Sequence, residues 1–181
     1  MTEDRPTGGP RRPRVSRFLC LAAGLALLFP GCATAPAPKP LSHAFESPEA
    51  LARVVLDALA ARDQATLGAL PLSATEFRQI VWPELPSSRP EVNLPVEYAW
   101  GDLSTKSRGH LGATLDEWGG RRLALVRLEF RGDTTAYKTF SVHRDAQLTV
   151  RTDTGEERRI RLFGSILERD GQFKLFSYVV D

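Results

Sequence analysis

Thiols are nearly missing from this chain: its two cysteines, Cys20 and Cys32, both fall within the first 32 residues. From Ala33 onward there is none, which excludes a disulfide framework, a thiolate metal site and a cysteine nucleophile there. Histidine is scarce as well. His43, His110 and His143 form no H-x-x-x-H or H-E-x-x-H pair of the kind a zinc site uses, and no metal or cofactor is expected. There is no G-x-S-x-G, and neither Gly8-Gly9 nor Gly119-Gly120 matches a phosphate loop. A basic excess is missing beyond the N-terminus. The first 31 residues hold +3 of the chain's formal +2, so the remainder is near −1. A nucleic-acid footprint needs a basic excess with clustering, and that excess leaves with the leader.

What is present begins with a leader. Arg11, Arg12, Arg14 and Arg17, with no acid after Asp4, precede the uncharged apolar run Phe18 to Phe29, which Pro30-Gly31 stops. A spanning helix needs ~20 apolar residues, and a run of ~7–15 behind a positive segment is the secretory-signal pattern. This run has twelve. The run ends LLFPGC, which resembles the lipobox of bacterial lipoproteins. Gly31 and Cys32 match it, while Phe29 stands where leucine is usual and Pro30 where a small residue is usual. The resemblance implies cleavage after Gly31 and acylation of Cys32. Two or more acyl chains hold a protein stably on a membrane at ~0.8 kcal/mol per buried methylene. Ala33 after the cysteine implies, by the same resemblance, the periplasmic side of an outer membrane where the cell has one. The rival is ordinary cleavage after Ala35, at Ala33-Thr34-Ala35, though Pro36 would directly follow that cut.

The expected organisation is a signal peptide over residues 1–31, a lipidated cysteine and Pro/Ala tether over 32–45, and one α+β domain over 46–181. Ser47-Pro48-Glu49 combines a capping hydroxyl, a first-turn proline and an early carboxylate, and Leu51, Val54, Val55 and Leu59 follow with helical spacing. Asp63 caps a short helix carrying Leu67 and Leu70. Ser73-Ala74-Thr75-Glu76 is a capping box for a third, with Phe77, Ile80 and Val81. Pro83 to Pro95 reads as loop and Val96 to Trp100 as an edge strand. Asp102 then opens a fourth helix with Leu103, Leu111, Leu115 and Trp118 on one face.

From Leu123 the period becomes two. Val126, Leu128 and Phe130 alternate with Arg127, Glu129 and Arg131. A long run from Tyr137 to Arg151 carries a polar interruption at Arg144-Asp145-Ala146, the mark of a bulge or bend. A third run, Glu157 to Arg169, meets the last strand, Gln172 to Val180, at the hairpin dipeptide Asp170-Gly171. Helices first and an antiparallel meander last indicate α+β, with N-terminal helices packed on a bent sheet of four or more strands.

The opening SPEALARVVLDALAARDQATLGAL, the bent long strands and the closing GSILERDGQFKLFSYVVD resemble the nuclear transport factor 2-like superfamily, a cone-shaped fold shared with cystatins. The superfamily holds isomerases, dehydratases, cyclases and many non-catalytic binding domains, so it implies a fold and no single function. Isomerases within it use an Asp base beside a tyrosine and a protonated Asp. Tyr98, Tyr137, Tyr178 and His143, with Glu97, Asp116 or Asp133, could supply such a pocket. No motif joins them, and loop charges and core-edge tyrosines explain them equally. Arg151, Arg158, Arg159, Arg161 and Arg169 make a basic patch interleaved with acids, either a solvated sheet face or a site for anionic lipid heads. The last strand is apolar on both sides, with Phe173, Leu175 and Val179 opposite Phe176, Tyr178 and Val180. A strand of that kind is sandwiched. The second face is expected to meet a homodimer mate, an envelope protein or a ligand. The expectation is a lipid-anchored envelope protein whose domain binds without catalysis. The alternative is a cone enzyme acting on an apolar small molecule by proton transfer.

Overall fold

A computed structural model describes residues 40–180. The apolar leader, Gly31, Cys32 and the tether through residue 39 lie outside the described residues. The local signals act where they stand. Ser47 Oγ accepts the Ala50 N–H at 3.1 Å and α1 runs Pro48–Ala61, closed by Arg62 in the left-handed conformation. Asp63 caps α2, Gln64–Ala69, by accepting the Thr66 N–H at 3.0 Å. Ser73 and Glu76 form the reciprocal capping box of α3, Ala74–Glu76, which continues as a π turn over Phe77–Val81 and a 3₁₀ turn over Trp82–Glu84.

The fourth helix differs from expectation. α4 spans Val96–Trp118, so Val96 to Trp100 is its first turns and not an edge strand. Pro95 supplies the reason: it stands at the N-cap, where its fixed φ leads into a helix, and Val96, Trp100 and Leu103 already carry the helical spacing. The preceding prolines form two further 3₁₀ turns, Pro86–Ser88 and Pro90–Val92.

Among the described residues seven strands follow: β1 Leu123–Phe130, β2 Thr134–Ala136, β3 Ser141–Arg144, β4 Ala146–Thr152, β5 Glu157–Ile160, β6 Ser165–Arg169 and β7 Gln172–Ser177. They make two antiparallel sheets, ordered β1-β4-β5 and β2-β3-β6-β7, packed with the helices in an α+β fold. Two of the long runs therefore break. The second divides at Asp145, which takes φ +52, a conformation Asp tolerates better than most residues. The third divides between Ile160 and Ser165, where Gly164 is pressed against the Val179 carbonyl so closely that no side chain fits.

Register corrects two facings. A bulge between Leu125 and Arg127 turns Leu123, Leu125 and Leu128 toward the core and leaves Val126 44 % exposed, contrary to its expected inward place. Tyr137 closes the β2–β3 hairpin, its N–H donating to Phe140 at 2.8 Å. It lies on the Val142 side of the sheet, opposite His143, because the strand containing His143 begins only at Ser141.

Two cores result. α1, α2, the inner face of β1-β4-β5 and one face of β6–β7 enclose Leu51, Val55, Leu59, Leu148, Ile166 and Leu175. The other face of β2-β3-β6-β7 meets α3, the π turn and the first half of α4 around Leu72, Phe77, Val81, Val142 and Leu167. The second sheet is thus covered on both sides, and the apolar character of β7 on both faces follows from this.

Candidate functional site

α4 begins against one core and ends against the other. Val96, Trp100 and Leu103 pack on the Leu167 side, while Leu111, Leu115 and Trp118 pack on the Leu59 side. Ser107 stands at the crossing, four residues from Leu103 and four from Leu111, where the spacing would otherwise place an apolar side chain. It is 8 % exposed, and its Oγ accepts the N–H of Tyr178 at 3.0 Å. That N–H needs a side-chain acceptor because β7 ends at Ser177 and the ladder no longer serves it.

Beside this crossing α4 stands off β7 and leaves a groove of about 190 Å³. Pro71, Leu72, Trp100, Leu103 and Phe176 form its apolar walls; Ser104, Ser107 and Ser177 add hydroxyls, and the exposed Gly68 and Arg108 complete the lining at the rim. Phe77 fixes Trp100 from behind, with ring centroids 5.4 Å apart and tilted by 39°. Arg108 is the one ionisable side chain lining this groove, and its polar contact is Thr105 Oγ1 at 3.4 Å.

Of the residues expected to share a pocket, none of the tyrosines joins His143. Tyr98 is 68 % exposed on α4. Tyr178 is 1 % exposed, its hydroxyl donating to the Leu67 carbonyl at 2.9 Å, and burial pushes the phenol above its ordinary value. It packs in the Leu59 core and not beside Phe176, because the register shifts opposite Ser165 and the strand stops before it. Tyr178 is therefore not part of an open partner face. Val180 lies beyond β7, partly buried, and Phe176 alone of those three borders a groove.

His143 has its own neighbours. Its Nδ1 lies 3.0 Å from Thr134 Oγ1 and its Nε2 lies 2.7 Å from Glu168 Oε2, with the ring stacked on Phe130 at 4.9 Å. An imidazole bridging a hydroxyl and a carboxylate can relay a proton. Glu168 also borders a solvent-open recess that Tyr137 lines, but Tyr137 is stacked on Phe140 at 4.6 Å on the other side of the sheet. Glu97 is held by Arg78 at 2.6 Å, and Asp116 and Asp133 are exposed. In the basic patch Arg151, Arg158, Arg161 and Arg169 each meet an acid: Glu157, Glu156, Asp145 and Asp170. Among the described residues no group of three His, Cys, Asp or Glu side chains is arranged to hold a metal.

One charged cluster went unread in the sequence. Lys174 is 0 % exposed, its Nζ 2.5 Å from the Ser42 carbonyl and 3.7 Å from Glu76 Oε2. Burial lowers the Lys174 pKa, with Glu76 opposing that shift. Burial pushes the Glu76 carboxyl up, but the N–H groups of Ser73 and Ser42 outweigh it and hold the group below its ordinary value. The same segment adds Phe45 to β7, exchanging both backbone hydrogen bonds with Phe173 at 2.8 and 2.7 Å. The signal was Lys174 itself, a lysine inside a strand apolar on both sides. Such a residue is either wrongly placed or paired.

Comparison with known protein families, curated proteins and solved structures found no match to this chain. Among the described residues no helix is long and apolar enough to cross a membrane.

Proposed function

We propose that this chain is a lipid-anchored protein of the bacterial cell envelope, whose α+β domain holds an apolar ligand in the α4–β7 groove without turning it over. The anchor is acylated Cys32, on the periplasmic side of an outer membrane where the cell has one. The domain is read as a relative of the nuclear transport factor 2-like superfamily on the sequence resemblance. A homodimer mate or an envelope protein remains the partner class for Phe176, the part of the expected face that borders the groove.

The observation that carries the reading is the groove itself. Its walls are apolar, its one charge stands at the rim, and it sits on a sheet face that the helices cover incompletely. Small-molecule sites have this mixture of apolar lining and a few directed polar groups. The pinned segment from Ser42 to Phe45 supports the anchored part, since it fixes to β7 the point at which a tether would leave the domain.

Two measurements test the proposal. Labelled palmitate should enter the protein in cells and be lost on Cys32→Ala; retention in that variant removes the anchor. An apolar fluorophore should bind the wild-type chain and fail to bind Gly68→Phe, which fills the rim. A Cβ at Gly68 meets nothing within 4 Å, so the backbone there accepts a side chain, and an unchanged unfolding midpoint should accompany the loss of binding.

The Thr134–His143–Glu168 chain favours the second reading, a proton-transfer enzyme. The two readings separate on the fate of the bound compound. The binding reading requires a compound held in the groove to be recovered intact; the enzyme reading places turnover at His143, on the opposite face of the sheet, and requires any conversion to be lost on His143→Gln while binding in the groove persists.

A further inference from the structure

The groove distinguishes one end of a ligand from the other. Leu72, Leu103 and Phe176 offer nothing to a polar atom, Trp100 offers at most its indole N–H, and the groove's one charge is the positive Arg108. Among the described residues the polar contact of Arg108 is the Thr105 hydroxyl at 3.4 Å, and no acid lines the groove with it. Ser107 adds a second unspent group. Its Oγ accepts from Tyr178, and among the described residues its own proton has no acceptor.

We propose that the groove is a site for a single-chain carboxylate amphiphile, its tail between Trp100, Leu103 and Phe176 and its head on Arg108 with the Ser107 hydroxyl. This rests on the binding reading of the groove given above and names the ligand class for it. A guanidinium presents a planar fork that matches a carboxylate bidentately, and charge-assisted hydrogen bonds of this kind are the strong ones. Size sets the chain. At ~30 Å³ for each water-sized group, a cavity of about 190 Å³ encloses about six of them. One short acyl chain is taken in with its head at the rim, and a two-chain lipid is not.

The test uses the full chain in lipid nanodiscs, with empty nanodiscs as the blank, and equilibrium dialysis of labelled octanoate and labelled octan-1-ol. Octanoate is expected to bind about tenfold to a hundredfold more tightly than the alcohol, the range that a hydrogen bond to a charged group covers. Arg108→Gln should erase that preference while the alcohol still binds as it did. Gly68→Phe should abolish binding of both. Equal affinity for acid and alcohol in the wild-type chain overturns the head-group assignment and leaves the groove reading standing. So does an unchanged preference in Arg108→Gln. Failure of both probes to bind overturns the two readings together.

Discussion

The sheet β1-β4-β5 turns one face to the core and the other to water, whereas β2-β3-β6-β7 is covered on both. On the first, the outer positions carry Arg127, Glu129, Arg151 and Glu157, and directly opposed residues form pairs such as Arg151–Glu157 at 2.7 Å. On the second, Ile166 and Leu175 enter one core while Val142 and Leu167 enter the other. Away from its β2 edge and open recess, a polar side chain on the covered sheet has no water to turn to, so Lys174, opposite Leu167, must find Glu76 and Ser42. The second cover is also assembled from pieces: the chain before α1, the π turn and half of α4. Pieces leave seams, and the groove beside Ser107 is one of them. The open sheet carries charge; the covered one carries the candidate site.

The sharpest way to break this contrast is to orphan the buried charge. Glu76→Ala leaves Lys174 without its acid, and removing one member of a buried pair costs about 3–5 kcal/mol. Denaturant unfolding should report that loss, and a double change, Glu76→Gln with Lys174→Met, should recover most of it. The sign of the pH dependence follows from the two shifts. Glu76 is held below its ordinary 4.5, so its contribution is complete above that pH and disappears as pH falls through the lower folded value. Lys174 is held below its ordinary 10.5. Between its folded value and 10.5 the unfolded chain binds more protons, and stability rises with pH across that window. Glu76→Gln should flatten the acid limb; an unchanged acid limb would show that the pair contributes nothing.

The next effect compares apolar residues on the two sheets. Leu167→Ala opens space in a fully covered position and should cost about 2–5 kcal/mol, whereas Val126→Ala on the water side should stay within about 0.5 kcal/mol. Similar losses at both sites would mean that the second sheet is not covered in solution. Smaller again is Tyr178→Phe, which leaves the buried Leu67 carbonyl without its donor at a cost of about 1–3 kcal/mol. The folded phenol is raised above its ordinary 10.0, so in the wild-type chain stability is retained up to that pH and falls above it as the unfolded form ionises first. That alkaline fall should vanish in the phenylalanine variant.

Local chemistry made much of this legible. Ser47, Asp63 and the Ser73–Glu76 box act within one helical turn, and Asp170-Gly171 turns the chain with both residues at positive φ. The α+β class needed only the order of periods. What the sequence concealed depends on partners distant in the chain. Alternation through Val126 looked continuous because a bulge shows only against β4, and Val96 to Trp100 looked like a strand because aromatics suit both elements. His143 and Tyr137 were expected to share a pocket, and they do not because the strand's true start at Ser141 is set by pairing with β6. For the site, Phe176 was singled out, but Ser107 was not. A single serine between Leu103 and Leu111 is a weak mark until the Tyr178 N–H, which has left the β7 ladder, is seen donating to it.

The smallest expected effect tests the open sheet. Arg151 and Glu157 are directly opposed across β4 and β5, 2.7 Å apart, yet their side chains keep 55 % and 47 % of their exposure. Attraction between them acts through water, and holding two long side chains in one geometry opposes it. Glu157→Gln should therefore cost about 0.2–1 kcal/mol at low salt. The difference from wild type should shrink as added salt shortens the Debye length toward ~3 Å at 1 M, comparable to the separation itself. Glu76→Gln, buried beside Lys174, should keep its effect in the same salt series. If the two variants respond to salt alike, the contrast between a solvated sheet and a doubly covered one fails at its electrostatic end.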